Sequence, residues 1–430
     1  MNQPPSQPMG ALYEIRYGEI CPWLILVRSC RAALFVRVLL LAFAGVVITQ
    51  WGWAALDGLF ASNPAQLGRL TEPHAEAVEL GPTLVDPGSD SAATSVIRVS
   101  PIGKFAQSPW VGPLVRGWAW LTEPFSRMAS PDVTWIQCLS LALSGVWAVV
   151  VWGLFGGAIS RIAALYLTRG EILGPISALR AALEKWYATS GGPLLPIAFA
   201  VACVVPLVVA GWLLVLDFSA LLMGIVWIVA LIWGLILSIG LLGLLLGWPL
   251  MWATIGVEQS DALDGVSRCF SYVYQRPIHL VFYLLVATVL GLFGEALVYY
   301  LATAGVSLTE WSVSWGAGNE RTAALMGVPA SEAATTLSGM GEASAGLIRF
   351  WEATLMAVAE SFPLGYLWCA SVGIYLLLRR HIDSTEMDEI ALEQDDLQQG
   401  LPGLTPDESG IPQVNPNQDA PESDNESDTG

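Results

Sequence analysis

Apolar residues fall into six long runs along this chain, at 38–56, 136–159, 194–216, 221–248, 278–303 and 354–378. A helix needs about 20 apolar residues to cross the hydrocarbon of a bilayer, so the pattern predicts six transmembrane helices. Four residues, 217–220, separate the third run from the fourth, which predicts a tight helical hairpin. The fourth run is long, and tilt or an interfacial extension accommodates the excess. The first run begins after Arg28, Arg31 and Arg37. A signal peptide has its basic region close to its start, so this run reads as a retained anchor. The expected fold class is all-α: a polytopic membrane helical bundle of about six transmembrane helices with two cytoplasmic amphipathic elbow helices.

The segments between the runs divide the chain further. The expected layout is a cytoplasmic N-terminal segment (1–37), the first span, an outer loop (57–135), a four-span core (136–303), a second outer loop (304–353), the last span, and an acidic tail (379–430). The first outer loop is irregular over 63–100, where Pro, Gly, Ser and acidic residues dominate. It then becomes aromatic, with Phe105, Trp110, Trp118, Trp120 and Phe125. Val111, Leu114, Val115, Trp118 and Leu121 recur at helical spacing, which predicts a Trp-rich helix lying in the headgroup zone. An aromatic ligand platform is the alternative. The tail from Asp383 is rich in Pro, Asp, Glu, Ser and Asn. It cannot bury enough apolar area to offset its ordering entropy, so disorder is expected from about Glu393.

One arrangement occurs twice. Spans two and four each carry a G-x-x-x-G, Gly153 with Gly157 and Gly243 with Gly247, and such spacing lets helices approach closely. Each is followed by an amphipathic segment. In 171–187 the stripe is Ile172, Ile176, Leu179, Leu183 and Trp186, with Arg180, Glu184 and Lys185 off it. In 258–276 it is Ala262, Val266, Cys269 or Phe270, and Val273. Ser260 is the expected cap of the second elbow, with Asp261 and Arg276 favouring its two ends. Pro277 and Pro193 mark the re-entries. Two readings stay open, an internal duplication and two unrelated interfacial helices. Either way the elbows are expected to lie flat, apolar side toward lipid or the span ends, with Arg180, Lys185, Arg268 and Arg276 toward anionic headgroups and Arg268 the expected polar anchor between elbow and spans.

Composition agrees with the runs. Apolar residues make up 54% and charged residues 13%, where soluble domains carry about 25% charged; mean hydropathy is +0.57. A soluble enzyme, a disulfide scaffold and a wholly disordered chain are excluded. The net charge of −18 belongs largely to the tail, which holds 14 acidic and no basic residues after Arg380. No basic patch points to nucleic acid. With the N-terminus inside, 12 Lys and Arg fall in inner segments and 7 in the two long outer loops, so both termini are expected to be cytoplasmic.

Candidate chemistry is sparse. The six cysteines have no metal-ligand spacing, and His74, His279 and His381 are scattered; no metal, cofactor or catalytic residue is expected. The densest polar cluster is Glu258, Asp261, Asp264 and Arg268. Acids three apart on a helix are neighbours, and two readings compete: a metal–phosphate site, or an interfacial helix with an internal Asp261–Arg268 or Asp264–Arg268 ion pair. The run Asp264-Gly-Val-Ser-Arg268 resembles the opening of the CDP-alcohol phosphotransferase motif. Its Arg stands one residue early, and the family's following G-x-x-x-D-x-x-x-D is absent. Glu295 and Glu360 lie within apolar runs, toward the outer ends of their helices, where an interfacial pair outweighs a midplane proton relay. Pro196, Pro206 and Pro363 are candidate kinks. Nucleotide, zinc-protease and hydrolase motifs are absent.

Three segments carry a resemblance: Glu14-Ile-Arg-Tyr-Gly-Glu-x-Cys-Pro-Trp23; Gly156-Gly-Ala-Ile-Ser-Arg-Ile-Ala163; and Gly247-Trp-Pro-Leu-Met251, running on through Glu258, Asp261, Asp264 and Arg268 to Tyr272-Val-Tyr-Gln-Arg-Pro277. They resemble an uncharacterised family of multi-pass membrane proteins from planctomycete bacteria over most of 11–305. Residues 160–305 more loosely resemble Yip-type and glycerophosphodiesterase-associated membrane domains. The resemblance implies a bacterial inner-membrane helical protein and supplies no reaction. The function expected is a non-enzymatic structural or accessory membrane component, with a transporter or permease as the alternative. Membrane lipids are the expected partners, with other membrane proteins as further candidates.

Overall fold

The computed structural model describes residues 21–60, 112–128, 133–215, 217–326, 339–385, 404–406 and 412–414. It divides into two units, Met1–Glu389 and Ile390–Gly430. In the first, a short turn at Pro22–Leu24 leads into α1 (Ile25–Ala33) and α2 (Val36–Phe60). There follow α3 (Pro113–Met128), α4 (Trp135–Thr168), α5 (Pro175–Glu184), α6 (Trp186–Leu213) and α7 (Asp217–Glu258). The unit ends with α8 (Ala262–Gln275), α9 (Pro277–Ala317), α10 (Asn319–Met326), α11 (Gly339–Glu360) and α12 (Phe362–Ile382). Six stretches are long and apolar enough to cross a membrane: α2, α4, α6, α7 from Met223, α9, and α11 with α12. The six predicted runs coincide with them.

Helix α12 is the centre of the bundle. From Phe362 to Arg379 nearly every side chain is buried, packed by α1, α3, α4, α7 and α9. Helix α4 lies beside it and is buried from Ala158 to Leu167. A capping box starts α4: Thr134 Oγ1 accepts from the Gln137 N–H, and Gln137 Oε1 accepts from the Thr134 N–H at 2.8 Å. Tryptophans join the helices into one aromatic seam. Trp53 of α2 lies 4.9 Å from Trp120 of α3, which lies 6.4 Å from Trp152 of α4. Trp152 is 6.1 Å from Trp368 of α12, and Trp368 is 4.2 Å from Trp252 of α7. Each such ring pair contributes about 0.5–1.5 kcal/mol beyond its buried area.

Helices α6 and α7 form the predicted hairpin, joined at the Trp233 Nε1 to Cys203 carbonyl bond (2.8 Å). The residues expected as its connection, 217–220, are the first turn of α7. Above the base of the hairpin, apolar side chains such as Phe199, Trp212, Ile225, Val229 and Leu235 are exposed. A helix apolar all round with little protein cover suits a lipid surrounding.

Both elbows differ from the flat helices expected: each folds back along the preceding span. Helix α5 buries Ala178, Ala181 and Ala182; Ala182 meets Gly157 of α4, and Trp186 Nε1 then donates to the Val150 carbonyl at 2.8 Å. Helix α8 runs back along α7, from Gly265 beside Ile255, to Cys269 beside Gly247, to Tyr274, whose hydroxyl donates to the Ile239 carbonyl at 2.5 Å. In the second elbow the G-x-x-x-G glycines are the reason, whereas in the first Gly153 is covered by Ser190 of α6 and Gly157 makes ordinary contact with Ala182 and Thr189. A methyl group at Gly247 would overlap the Cys269 thiol, one at Gly243 the Tyr274 hydroxyl, and one at Gly153 the Ser190 hydroxyl. Pro175 and Pro277 open α5's elbow and α9 as first-turn prolines. Pro193 stands inside α6, so the first re-entry starts earlier, at Trp186.

Two further expectations change. Helix α3 buries Leu114, Gly117, Leu121 and Pro124 against the bundle, where a headgroup helix was expected; Gly117 lies against the Pro363 carbonyl. The segment 304–353 is helical over most of its described part, because α9 runs on to Ala317 and α11 starts at Gly339. Gly318, at φ 81°, ends α9 in a backbone conformation that favours glycine. Pro196 and Pro206 stay inside α6, whereas the α11–α12 break falls at Ser361, just before Pro363. The second unit contains a short antiparallel strand pair, β1 (Leu404–Pro406) with β2 (Pro412–Val414). A lone two-stranded ribbon is marginal by itself. The expectations for 1–20, 63–100 and the rest of the tail lie outside the described residues.

Candidate functional site

Three helices bring their charged ends together. Glu258 is the last residue of α7. The chain reverses at Gln259, whose φ of 53° is uncommon for a side chain with a Cβ, and α8 begins three residues later. That reversal turns Arg268 of α8 back onto Glu258, with Nη1 at 2.8 Å from Oε1. Helix α12 contributes Tyr375 and Arg379, one turn apart on one face. The Tyr375 hydroxyl donates to the same Oε1 at 2.5 Å, and Arg379 Nε lies 3.3 Å from it. Arg268 also reaches Asp264 Oδ1 (3.3 Å) and Asp383 Oδ2 (3.9 Å), and the Tyr272 hydroxyl donates to Asp383. One helix turn inward, buried Arg161 of α4 donates to the Gly256 carbonyl at 3.2 Å.

The electrostatics favour the charged form of Arg268. Burial opposes the charge of Arg268. Glu258, the Tyr375 hydroxyl and hydrogen-bonded Asp264 outweigh it and push its pKa above the arginine range. Burial and the hydrogen bond to Asp383 push Tyr272 above the usual phenol range. The side chains of Glu258 and Arg379 are 13% and 10% exposed. Removing the enclosed Glu258 carboxylate takes a shared partner from both arginines, and losing one member of so enclosed an ion pair is costly. The arrangement is suited to tying α7, α8 and α12 together.

The sequence cluster is thus partly assembled. Glu258, Asp264 and Arg268 meet, and of the two ion pairs considered the one formed is Asp264–Arg268. Asp261 is exposed at the start of α8 and makes no side-chain cap; it holds the position expected of Ser260. Arg276 is exposed between α8 and α9. Arg180 is exposed on α5 and Lys185 half-buried at its end. Glu295 and Glu360 do not pair with each other. Glu295 forms an ion pair with Arg116 of α3, and Glu360 is exposed at the end of α11. Tyr272, Tyr375, Arg379 and Asp383 were missed. The spacing of Tyr375 and Arg379 was a usable signal for a polar face on an otherwise apolar helix.

Among the described residues no three His, Cys, Asp or Glu side chains are grouped to hold a metal ion. No family model, curated protein or solved structure matches the chain.

Proposed function

We propose that this chain is a non-enzymatic accessory component of a bacterial inner membrane, built to hold a lipid-facing hairpin rigidly to a packed helical core. The observation that carries the reading is the commitment of the polar cluster to itself. A single oxygen of Glu258 faces Arg268, Arg379 and Tyr375, so the charges serve the junction of three helices. The exposed apolar surface of α6 and α7 supports membrane lipids as partners, and other membrane proteins fit the same surface. The Lys and Arg distribution supports both termini on the cytoplasmic side. Affinity purification from native membranes, with proteins and lipids both identified by mass spectrometry, tests the reading. Reproducible co-purification of one membrane assembly or lipid class supports it; catalytic turnover of a co-purified lipid overturns it.

A second reading, a transporter or permease, has its own observation. The break at Ser361 lies beside α3, whose Arg116 pairs with the half-buried Glu295, and interrupted spans beside polar groups recur in transporters. Solute flux into proteoliposomes that stops on Glu295→Gln would favour this reading over the first.

A further inference from the structure

We propose that Arg276, His279, Arg380 and His381 form a binding site for the phosphate of an anionic phospholipid. The residues come from two places in the chain: Arg276 and His279 from the start of α9, Arg380 and His381 from the last turn of α12. The His279 and His381 rings lie 5.2 Å apart, nearly perpendicular, and Tyr283 lies 6.4 and 6.3 Å from them. Arg276 and Arg380 are close enough for their charges to act on His381. Neighbouring positions do not dilute this charge. Arg379 turns the other way, to Glu258, and Asp383 is engaged by Tyr272 and Arg268. Burial and the basic groups around it disfavour the charged form of His381. Among the described residues no carboxylate forms an ion pair with Arg276 or Arg380, so an anion placed here meets two arginines and two imidazoles. Arginine presents paired N–H donors matched to phosphate oxygens, and imidazole adds ring N–H donors in either protonation state.

A lipid fits better than free phosphate because of what adjoins the cluster. One turn further along α9, Val281, Phe282 and Leu285 are exposed, and Ile278 is 81% exposed. Basic groups at the end of a span, with an uncovered apolar face directly beyond them, match a headgroup and its acyl chains. The proposal rests on the membrane-component reading and adds a defined lipid class and position to it.

The test is a titration of the purified full-length protein, in one detergent, with short-chain phosphatidylglycerol, phosphatidylcholine or inorganic phosphate. The variants are Arg276→Gln with Arg380→Gln, the single His381→Gln, and a control, Arg180→Gln with Lys185→Gln. Phosphatidylglycerol should bind more tightly than phosphatidylcholine. The Arg276/Arg380 pair of substitutions should weaken it about tenfold or more, His381→Gln should weaken it less, and the control should change it less than about twofold. His381→Gln decides the matter if the double variant fails to fold. Equal binding of the two lipids, or unchanged affinity in folded variants of the site, would overturn the proposal. Inorganic phosphate competing as strongly as the lipid would overturn its commitment to lipid. The accessory reading survives each of these failures, since it is tested by what co-purifies.

Discussion

Helices α5 and α8 each follow a span that carries a G-x-x-x-G and fold back along it, yet they are secured differently: α8 covers both of its glycines, whereas α5 reaches Gly157 and α6 covers Gly153. Helix α5 buries three alanines and leaves Ile176 and Leu183 exposed, as is Ile172 just before it. Helix α8 buries Gly265, Cys269, Tyr272 and Val273, and through Arg268 it is paired to both α7 and α12. The two share a way of packing and differ in electrostatics. Close backbone approach is enough to set an elbow on its span, while charge is what ties the second elbow to the central helix. The shared geometry is what a duplication would leave, and the network would then belong to the second unit alone.

The comparison breaks most sharply at Glu258. Glu258→Leu removes the carboxylate that Arg268, Arg379 and Tyr375 share, and it should lower stability in detergent by about 3 kcal/mol or more. Thermal unfolding of the purified variant reads this directly. No ionisable side chain of α5 should match that effect.

The glycines sharpen the shared part. Gly247→Leu drives a side chain into Cys269 and Val273, and overpacking of this kind costs about 1–3 kcal/mol. Gly157→Leu meets Ala182 and Thr189 and should cost a similar amount. If Gly157→Leu were silent while Gly247→Leu was severe, the two elbows would not share a packing mode.

How much of this was legible in the sequence follows from which forces are local. The spans are compositional, so their positions could be read from apolar runs alone. The G-x-x-x-G pairs were visible, but not that the following elbow would occupy them, because the stripe of Ile172, Ile176 and Leu183 argued for a flat helix. Glu258, Asp264 and Arg268 stood together in one segment. Their partners Tyr375 and Arg379 lie more than 100 residues away, on a helix whose central position depends on packing by its neighbours. Segment 304–353 looked like a loop because Gly, Ser and Thr obscured its Ala, Leu and Glu. Those helix formers continue α9 and build α11.

Smaller effects separate the elbows further. Arg268→Ala should cost about 1 kcal/mol, reduced by the solvent that reaches its side chain, while Arg180→Ala and Lys185→Ala leave stability unchanged. Tyr272 brings a pH dependence of definite sign. Its folded pKa lies above the unfolded value, so its contribution is complete below about pH 10 and is lost as pH rises beyond that. Melting curves across that range should fall more steeply for the wild type than for Tyr272→Phe. Deleting 394–430 should leave insertion and thermal stability intact, since that composition buries little apolar area.

The central claim is that one charge network ties α7, α8 and α12 together, and a double-mutant cycle between Glu258 and Arg379 tests it most directly. Glu258→Leu, Arg379→Leu and the double variant would be compared by unfolding in the same detergent. The network predicts that the double variant is more stable than the sum of the two single losses requires, by about 1 kcal/mol or more. Strictly additive losses would contradict it, and α12 would then be held by its aromatic and aliphatic packing alone.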